Sequence, residues 1–327
     1  MSFLQKYATG GEHARERSWA VSAFRFLAGG VAFAIIRVGN IMLLSMLKIP
    51  TMNVNLSNEL TGVAFGLDLV EGILISAVLS VLAARLPYRP LVRFLAVFVP
   101  FFWVYAGGNT LELMFFSTYT APAVINTWID SLVELLVLSG VFVWLLPAAE
   151  KYRSLPSLAV ILGKRSLWSW IWRALLIAAL YVPTYLTFGS LIYPLVKPYY
   201  TNPAYGLNLT TPSLGPFIVL ELVRGLLYVV TLLPVLAVTR GSRWQTFLYV
   251  FVFTGLFNGW QLVANLTWPA QLRLAHTAEI TGDVLVQSLL FCWLLTLKFK
   301  QQKPGDAPGV LPDPGIVPTV ASQGTAS

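Results

Sequence analysis

Leu67-Asp68-Leu69-Val70-Glu71-Gly72-Ile73-Leu74 reads again 153 residues further on as Leu220-Glu221-Leu222-Val223-Arg224-Gly225-Leu226-Leu227. Around it, Asn55-Leu56-Ser57 and Gly62 return at the same offset as Asn208-Leu209-Thr210 and Gly215. Phe94-Leu95-Ala96-Val97-Phe98-Val99 returns as Phe247-Leu248-Tyr249-Val250-Phe251-Val252, and Asp130 as Asp283. One ungapped offset across three apolar segments predicts an internal duplication. The repeated segments are apolar enough for membrane helices, yet they carry ionisable groups. Charge inside duplicated membrane halves predicts a site that binds or moves something.

Composition fixes the class. Apolar residues make up 57% of the chain and charged residues 11%, and the mean hydropathy is +0.71. A soluble domain cannot hide that much apolar surface, whereas a multi-pass membrane protein turns it to lipid. The net charge of +8 does not imply nucleic acid, because the basic residues sit in short loops between apolar runs. The expected partners are the lipid bilayer and a small-molecule or ion ligand. The single cysteine, Cys292, rules out an internal disulfide and reads as a buried structural thiol.

A membrane helix needs about 20 apolar residues. Eight runs qualify, at 20–47, 62–84, 90–107, 130–148, 168–194, 214–238, 244–266 and 282–299. The third is interrupted by Pro100. The first is too long for a cleavable signal and reads as a signal anchor. The expected organisation is an all-α polytopic membrane protein, built as two tandem parallel four-helix repeats. An N-terminal segment (1–18) precedes the first repeat (19–148). A basic linker (149–167) leads to the second repeat (168–300) and a Pro/Gly-rich disordered tail (301–327).

Lysines and arginines set the orientation. Arg85, Arg89 and Arg93, then Lys151, Arg153, Lys164 and Arg165, then Arg240 and Arg243 fill alternate connections, and Lys298, Lys300 and Lys303 follow the last run. The remaining connections carry Lys48, Lys197 and Arg273. The alternation predicts a cell (inner) membrane protein with both termini cytoplasmic. Each half holds an even number of helices, so the pseudo-axis is expected along the membrane normal. Asn55, Asn208 and Asn265 fit the glycosylation pattern, but the repeat relation of the first two suits helix capping better.

An ionised group at the centre of a bilayer costs about 2.5–3.5 kcal/mol on insertion scales unless it is paired or wetted. Asp68 and Glu71 share one face of the second helix, and Glu221 and Arg224 hold the equivalent places in the sixth. The opposite charges of Glu71 and Arg224, each followed by a glycine, predict that these two helices face each other and pair there. Arg37 and Asn40 share a face of the first helix, and Arg37 is expected to pair with Asp68, Glu71 or Glu134. Asp130 and Asp283 read as acids at helix N-termini, favoured by the helix dipole, with Glu134 one turn deeper.

Arg273, His276, Glu279 and Asp283 make one polar stripe if helical. One histidine without HExxH or cysteine support does not make a metal site. Asn109, Glu112, Asn258 and Asn265 fall near the same membrane level as these charges. There is no P-loop, GxGxxG, GxSxG or cysteine-rich set, and no cofactor is implied. The leading expectation is a secondary transporter or solute-binding protein with a polar cavity in the outer half of the bilayer. Two alternatives stand beside it: an enzyme acting on a lipid or lipid-linked substrate at the outer leaflet, and a non-catalytic assembly factor. A lateral opening beside His276 favours the enzyme; a cavity closed from lipid favours transport.

Overall fold

The computed structural model describes residues 3–49, 58–86, 89–147, 158–239 and 242–296. Residue 55 and the 301–327 tail lie outside the described residues. Eight helices are long and apolar enough to cross a bilayer: Trp19–Met46, Gly62–Arg85, Pro90–Phe116, Ala121–Leu145, Leu167–Thr201, Leu214–Val238, Arg243–Ala264 and Ala270–Leu295. They are numbered below as spans in this order.

Four spans run further than their apolar stretches, the fifth continuing to Thr201. The third continues to Phe116, and the fourth and eighth begin at Ala121 and Ala270. The extensions carry Glu112, Asn126, His276 and Glu279. The hydropathy signal fades there, but Glu112, His276 and Glu279 turn into the protein rather than to lipid. One consequence corrects the reading of Asp130 and Asp283 as N-terminal helix acids. Asp130 is the tenth residue of a helix that starts at Ala121, and Asp283 the fourteenth of one that starts at Ala270.

The two ends of the bundle differ. At one end Arg85 donates to the Val238 carbonyl (3.2 Å), and Arg93 donates to the Val143 and Leu146 carbonyls. Arg165 there donates to Leu294 (2.8 Å) and Thr296 (3.2 Å). These arginines satisfy carbonyls left over where helices stop. Trp19, Trp144, Trp168, Trp244 and Trp293 all lie toward this end with largely exposed rings, the place where amphipathic indoles meet the membrane interface. At the other end the connection after the third span pairs with that before the sixth: Thr118 N–H donates to Asn208 O (2.8 Å) and Thr210 N–H to Phe116 O (2.9 Å). Asn208 is therefore a left-handed turn residue (φ 52°) rather than a cap. The sixth span starts after Ser213.

The first span packs along the second and fourth, and the fifth along the sixth and eighth. The third packs on the fourth and the seventh on the eighth. Contacts across the middle join the second span to the seventh, the third to the sixth, and the third to the seventh. Phe101, Phe253 and Phe257 fill this middle, with ring centroids 5.2 Å apart for Phe101–Phe257 and 4.3 Å for Phe253–Phe257.

The second and sixth spans meet at the arginine end, through Arg85 and Val238. Further along, the third and seventh stand between them. The expected meeting of Glu71 with Arg224 does not form, and the glycines explain why. A Cβ on Gly72 falls 2.5 Å from Phe33 Cβ and 2.8 Å from Gly30 Cα, both on the first span. A Cβ on Gly225 falls 3.0 Å from Ala178 Cα on the fifth. Each glycine admits its preceding span, not its counterpart.

A side chain at Gly72 must push two backbones apart, so Gly72→Leu is expected to destabilise by about 3 kcal/mol or more, the upper range for overpacking. Gly66 has nothing within 4 Å of its Cβ position; Gly66→Ala is expected to leave the thermal midpoint in detergent unchanged. Equal effects at both positions would reject the close helix approach.

Candidate functional site

The intramembrane charges gather into two clusters. In the first, Arg37 reaches Glu71 Oε2 (3.3 Å) and Asp68 Oδ1 (3.5 Å), and donates to the Tyr105 hydroxyl (2.7 Å). Its guanidinium lies 5.8 Å from the Phe33 ring centroid. Asn40 Nδ2 donates to Asp130 Oδ1 (2.5 Å) and Glu134 Oε2 (3.5 Å). Five sequence candidates thus come together: Arg37, Asp68, Glu71, Asp130 and Glu134. Glu71 is 1% exposed and its Oε1 has no partner.

The second cluster lies between the third, fifth, sixth, seventh and eighth spans. Arg224 is buried at 3% exposure. Its Nη1 donates to both oxygens of Glu221 (2.9 Å each), one turn away on the same helix. Its Nη2 meets Glu112 Oε2 of the third span at 2.8 Å. Tyr185 of the fifth span donates to the other Glu112 oxygen (2.5 Å). The guanidinium also lies 5.9 Å from the Tyr181 ring and 5.7 Å from the Tyr185 ring, a cation–π arrangement.

On the eighth span His276 Nδ1 is 2.7 Å from Glu279 Oε2, and its Nε2 is 3.3 Å from the Tyr200 hydroxyl. A neutral imidazole with its proton on Nδ1 satisfies both contacts, donating to Glu279 and accepting from Tyr200. Asp283 follows one turn deeper, and its Oδ1 has no partner. Gln287 Nε2 and Arg224 Nε are also buried without partners. Arg273, the fourth member of the expected stripe, leaves it and donates to the Val263 carbonyl (2.7 Å).

These residues surround a chamber of about 200 Å³. Glu112, Arg224, Glu279 and Asp283 line it, joined by Tyr181, Tyr185, Tyr200, Tyr228 and Asn258, and Glu221 touches it only through Arg224. Tyr228 donates to Asn258 Oδ1 (3.3 Å). Five sequence candidates therefore belong here: Glu221, Arg224, His276, Glu279 and Asp283. Among the described residues no group of three His, Cys, Asp or Glu side chains is placed to hold a metal ion.

Sequence reasoning placed Glu112 at the right level but missed its part as the cross-span partner of Arg224. The tyrosines were missed because aromatic residues are ordinary in membrane helices. One signal was available: Tyr105 and Asn258 are polar, lie inside apolar runs, and obey the 153-residue offset. The third span reaches both clusters because it changes pitch. Trp103–Gly107 is a π-helical turn following Pro100, and such turns release carbonyls from the helical ladder. Tyr105 O accepts from Asn109 Nδ2 (3.3 Å) and from Gln261 Nε2 of the seventh span. No family model matches this chain, and neither a curated protein nor a solved structure shows significant similarity to it. Function is therefore argued from the chemistry of these clusters.

Removing one partner of a buried ion pair leaves an uncompensated charge. Arg37→Met is expected to destabilise by about 3 kcal/mol, read as a fall in thermal midpoint. Adding Glu71→Gln to that variant should recover part of the loss. A double variant worse than the single would show that Glu71 is held by something other than Arg37.

Proposed function

We propose that this protein is a proton-linked secondary transporter built as two duplicated halves, with its solute site in the chamber beside Arg224. The charge inventory of the chamber carries the reading. Three carboxylates (Glu112, Glu279, Asp283) line it with one arginine, and Glu221 stands fully buried behind that arginine. Arg224 engages Glu112 and Glu221, and His276 engages Glu279. Asp283 keeps a buried, unpartnered oxygen. Acids in excess at membrane depth need protons or a cationic ligand to balance them, and binding one releases the other.

The duplication is supported by the offset and by what occupies equivalent places. Asp68 and Glu221, Glu71 and Arg224, Tyr105 and Asn258, Asp130 and Asp283, and Glu134 and Gln287 stand 153 apart, one of each pair associated with each cluster. The matching contacts of the first span with the second and fourth, and of the fifth with the sixth and eighth, suit the same reading. The arginine end is assigned to the cytoplasm from its basic loops. Both termini are then cytoplasmic and the chamber lies toward the outside.

A second reading has one observation in its favour. A groove between the fifth and sixth spans reaches His276 and Glu279 from the lipid side. A membrane-embedded enzyme working on a lipid-linked substrate would use that pair for acid–base chemistry.

The test uses proteoliposomes with a pH-sensitive dye inside, and a panel of small amines, amino acids, sugars and carboxylates outside. At least one class is expected to shift luminal pH and to be recovered unchanged. Asp283→Asn should slow that shift by about 100-fold, the scale of losing a positioned proton carrier. If every class leaves luminal pH at the protein-free leak rate, the transport reading fails. Recovery of a chemically altered solute would favour the enzyme.

A further inference from the structure

The groove and the chamber share a wall. The groove, about 280 Å³, is lined by Leu186, Ile192, Val196, Leu214 and Phe217, and it shares Tyr185, Tyr200, His276 and Glu279 with the chamber. Leu186 and Leu214 are exposed on the outer surface of the bundle, where a membrane protein meets acyl chains. The boundary between groove and chamber passes Gly189. A Cβ there would sit 3.0 Å from Glu279 Oε1, so the missing side chain makes room for the carboxylate that lines both spaces. The fifth span also carries Pro183, Pro194 and Pro198, which interrupt its hydrogen-bond ladder on either side of this point.

We infer that the ligand is a cationic amphiphile, with an ammonium head in the chamber against Asp283 and a single apolar tail along the groove between the fifth and sixth spans. The inference rests on the chamber being a ligand site, and it adds the ligand class and the route of access. Two independent features select that class. Acids outnumber the arginine in the chamber, and Asp283, 3% exposed, has a buried oxygen without a partner there. Four tyrosine rings, Tyr181, Tyr185, Tyr200 and Tyr228, surround the same space, and aromatic faces attract ammonium groups. An anionic head would face the acids instead. The groove is lined mainly by apolar side chains and shares a wall with the chamber, so a tail lying in it stays out of water while the head sits beyond that wall. Its gain over lipid is small, because acyl chains are as apolar as leucine. Selectivity therefore comes from the head, and the groove decides which molecules reach the chamber.

The test uses the full chain in phosphatidylcholine nanodiscs and radiolabelled dodecylamine, with empty nanodiscs subtracted. Butylamine and dodecyl sulfonate serve as competitors. Wild type is expected to bind dodecylamine saturably, with displacement by unlabelled amine and not by sulfonate. Asp283→Asn should weaken both amines by about tenfold or more, the scale of losing a buried charge partner. Ser190→Trp, which fills the groove, should weaken dodecylamine by about tenfold while leaving butylamine within about twofold. Thr211→Trp, in the loop at the groove mouth, repeats the test should the first variant fail to run as a monodisperse species.

Equal weakening of both amines, or of neither, by the groove variants overturns the tail assignment and leaves the chamber reading standing. Displacement by sulfonate as readily as by amine overturns the head assignment. If wild type binds neither amine but another solute drives luminal pH, the ligand class is wrong. If no solute does either, the chamber reading falls with it.

Discussion

A guanidinium at 3% exposure cannot stand alone inside a bilayer, and Arg224 is the residue around which the second cluster is organised. Glu221 supplies one carboxylate from the preceding turn of the same helix, which requires nothing of the rest of the fold. Glu112 supplies the other from a different span, and that requirement is structural. The third span must stay helical past its apolar stretch to Phe116 and must aim Glu112 at the sixth. Tyr185 then fixes the second Glu112 oxygen from the fifth span. One ion pair thus ties three spans around a space that none of them fills.

The first cluster solves the same problem differently. Its cation comes from the first span, as Arg37, and the residue 153 positions before Arg224 is the acid Glu71. Both clusters hold more acid than base, and the third span touches both. Tyr105 holds Arg37 through its hydroxyl, its carbonyl accepts from Gln261 beside the chamber, and Glu112 follows two turns later. The π-helical turn lets one helix present these groups to two sides. Any shift of Glu112 on ligand binding therefore acts on a segment that also supports Arg37.

Much of this was legible in the chain. Apolar run length fixed eight spans, because crossing hydrocarbon imposes a length that few other constraints imitate. Ten charged candidates were visible as charges out of place, and they form the two clusters. What was not legible came from direction. Opposite charges at equivalent positions suggested that Glu71 and Arg224 meet, but sequence does not say which neighbour a glycine admits; Gly72 admits Gly30 and Gly225 admits Ala178. Hydropathy ended the third span near residue 107 because Asn109 and Glu112 are polar, although those residues face protein and not lipid. The tyrosines carry no signal of their own until a cation is placed beside them.

Arg224 belongs to Glu112 and not to Glu71. Charge reversal with thermal unfolding of purified protein tests it. Arg224→Glu alone puts a third carboxylate beside Glu112 and Glu221 and should lower the unfolding midpoint sharply. Adding Glu112→Arg restores a cation opposite an acid across the third and sixth spans, and most of the midpoint is expected to return. Adding Glu71→Arg instead should give no recovery. Rescue by Glu71→Arg with none from Glu112→Arg would contradict the arrangement on which the chamber depends.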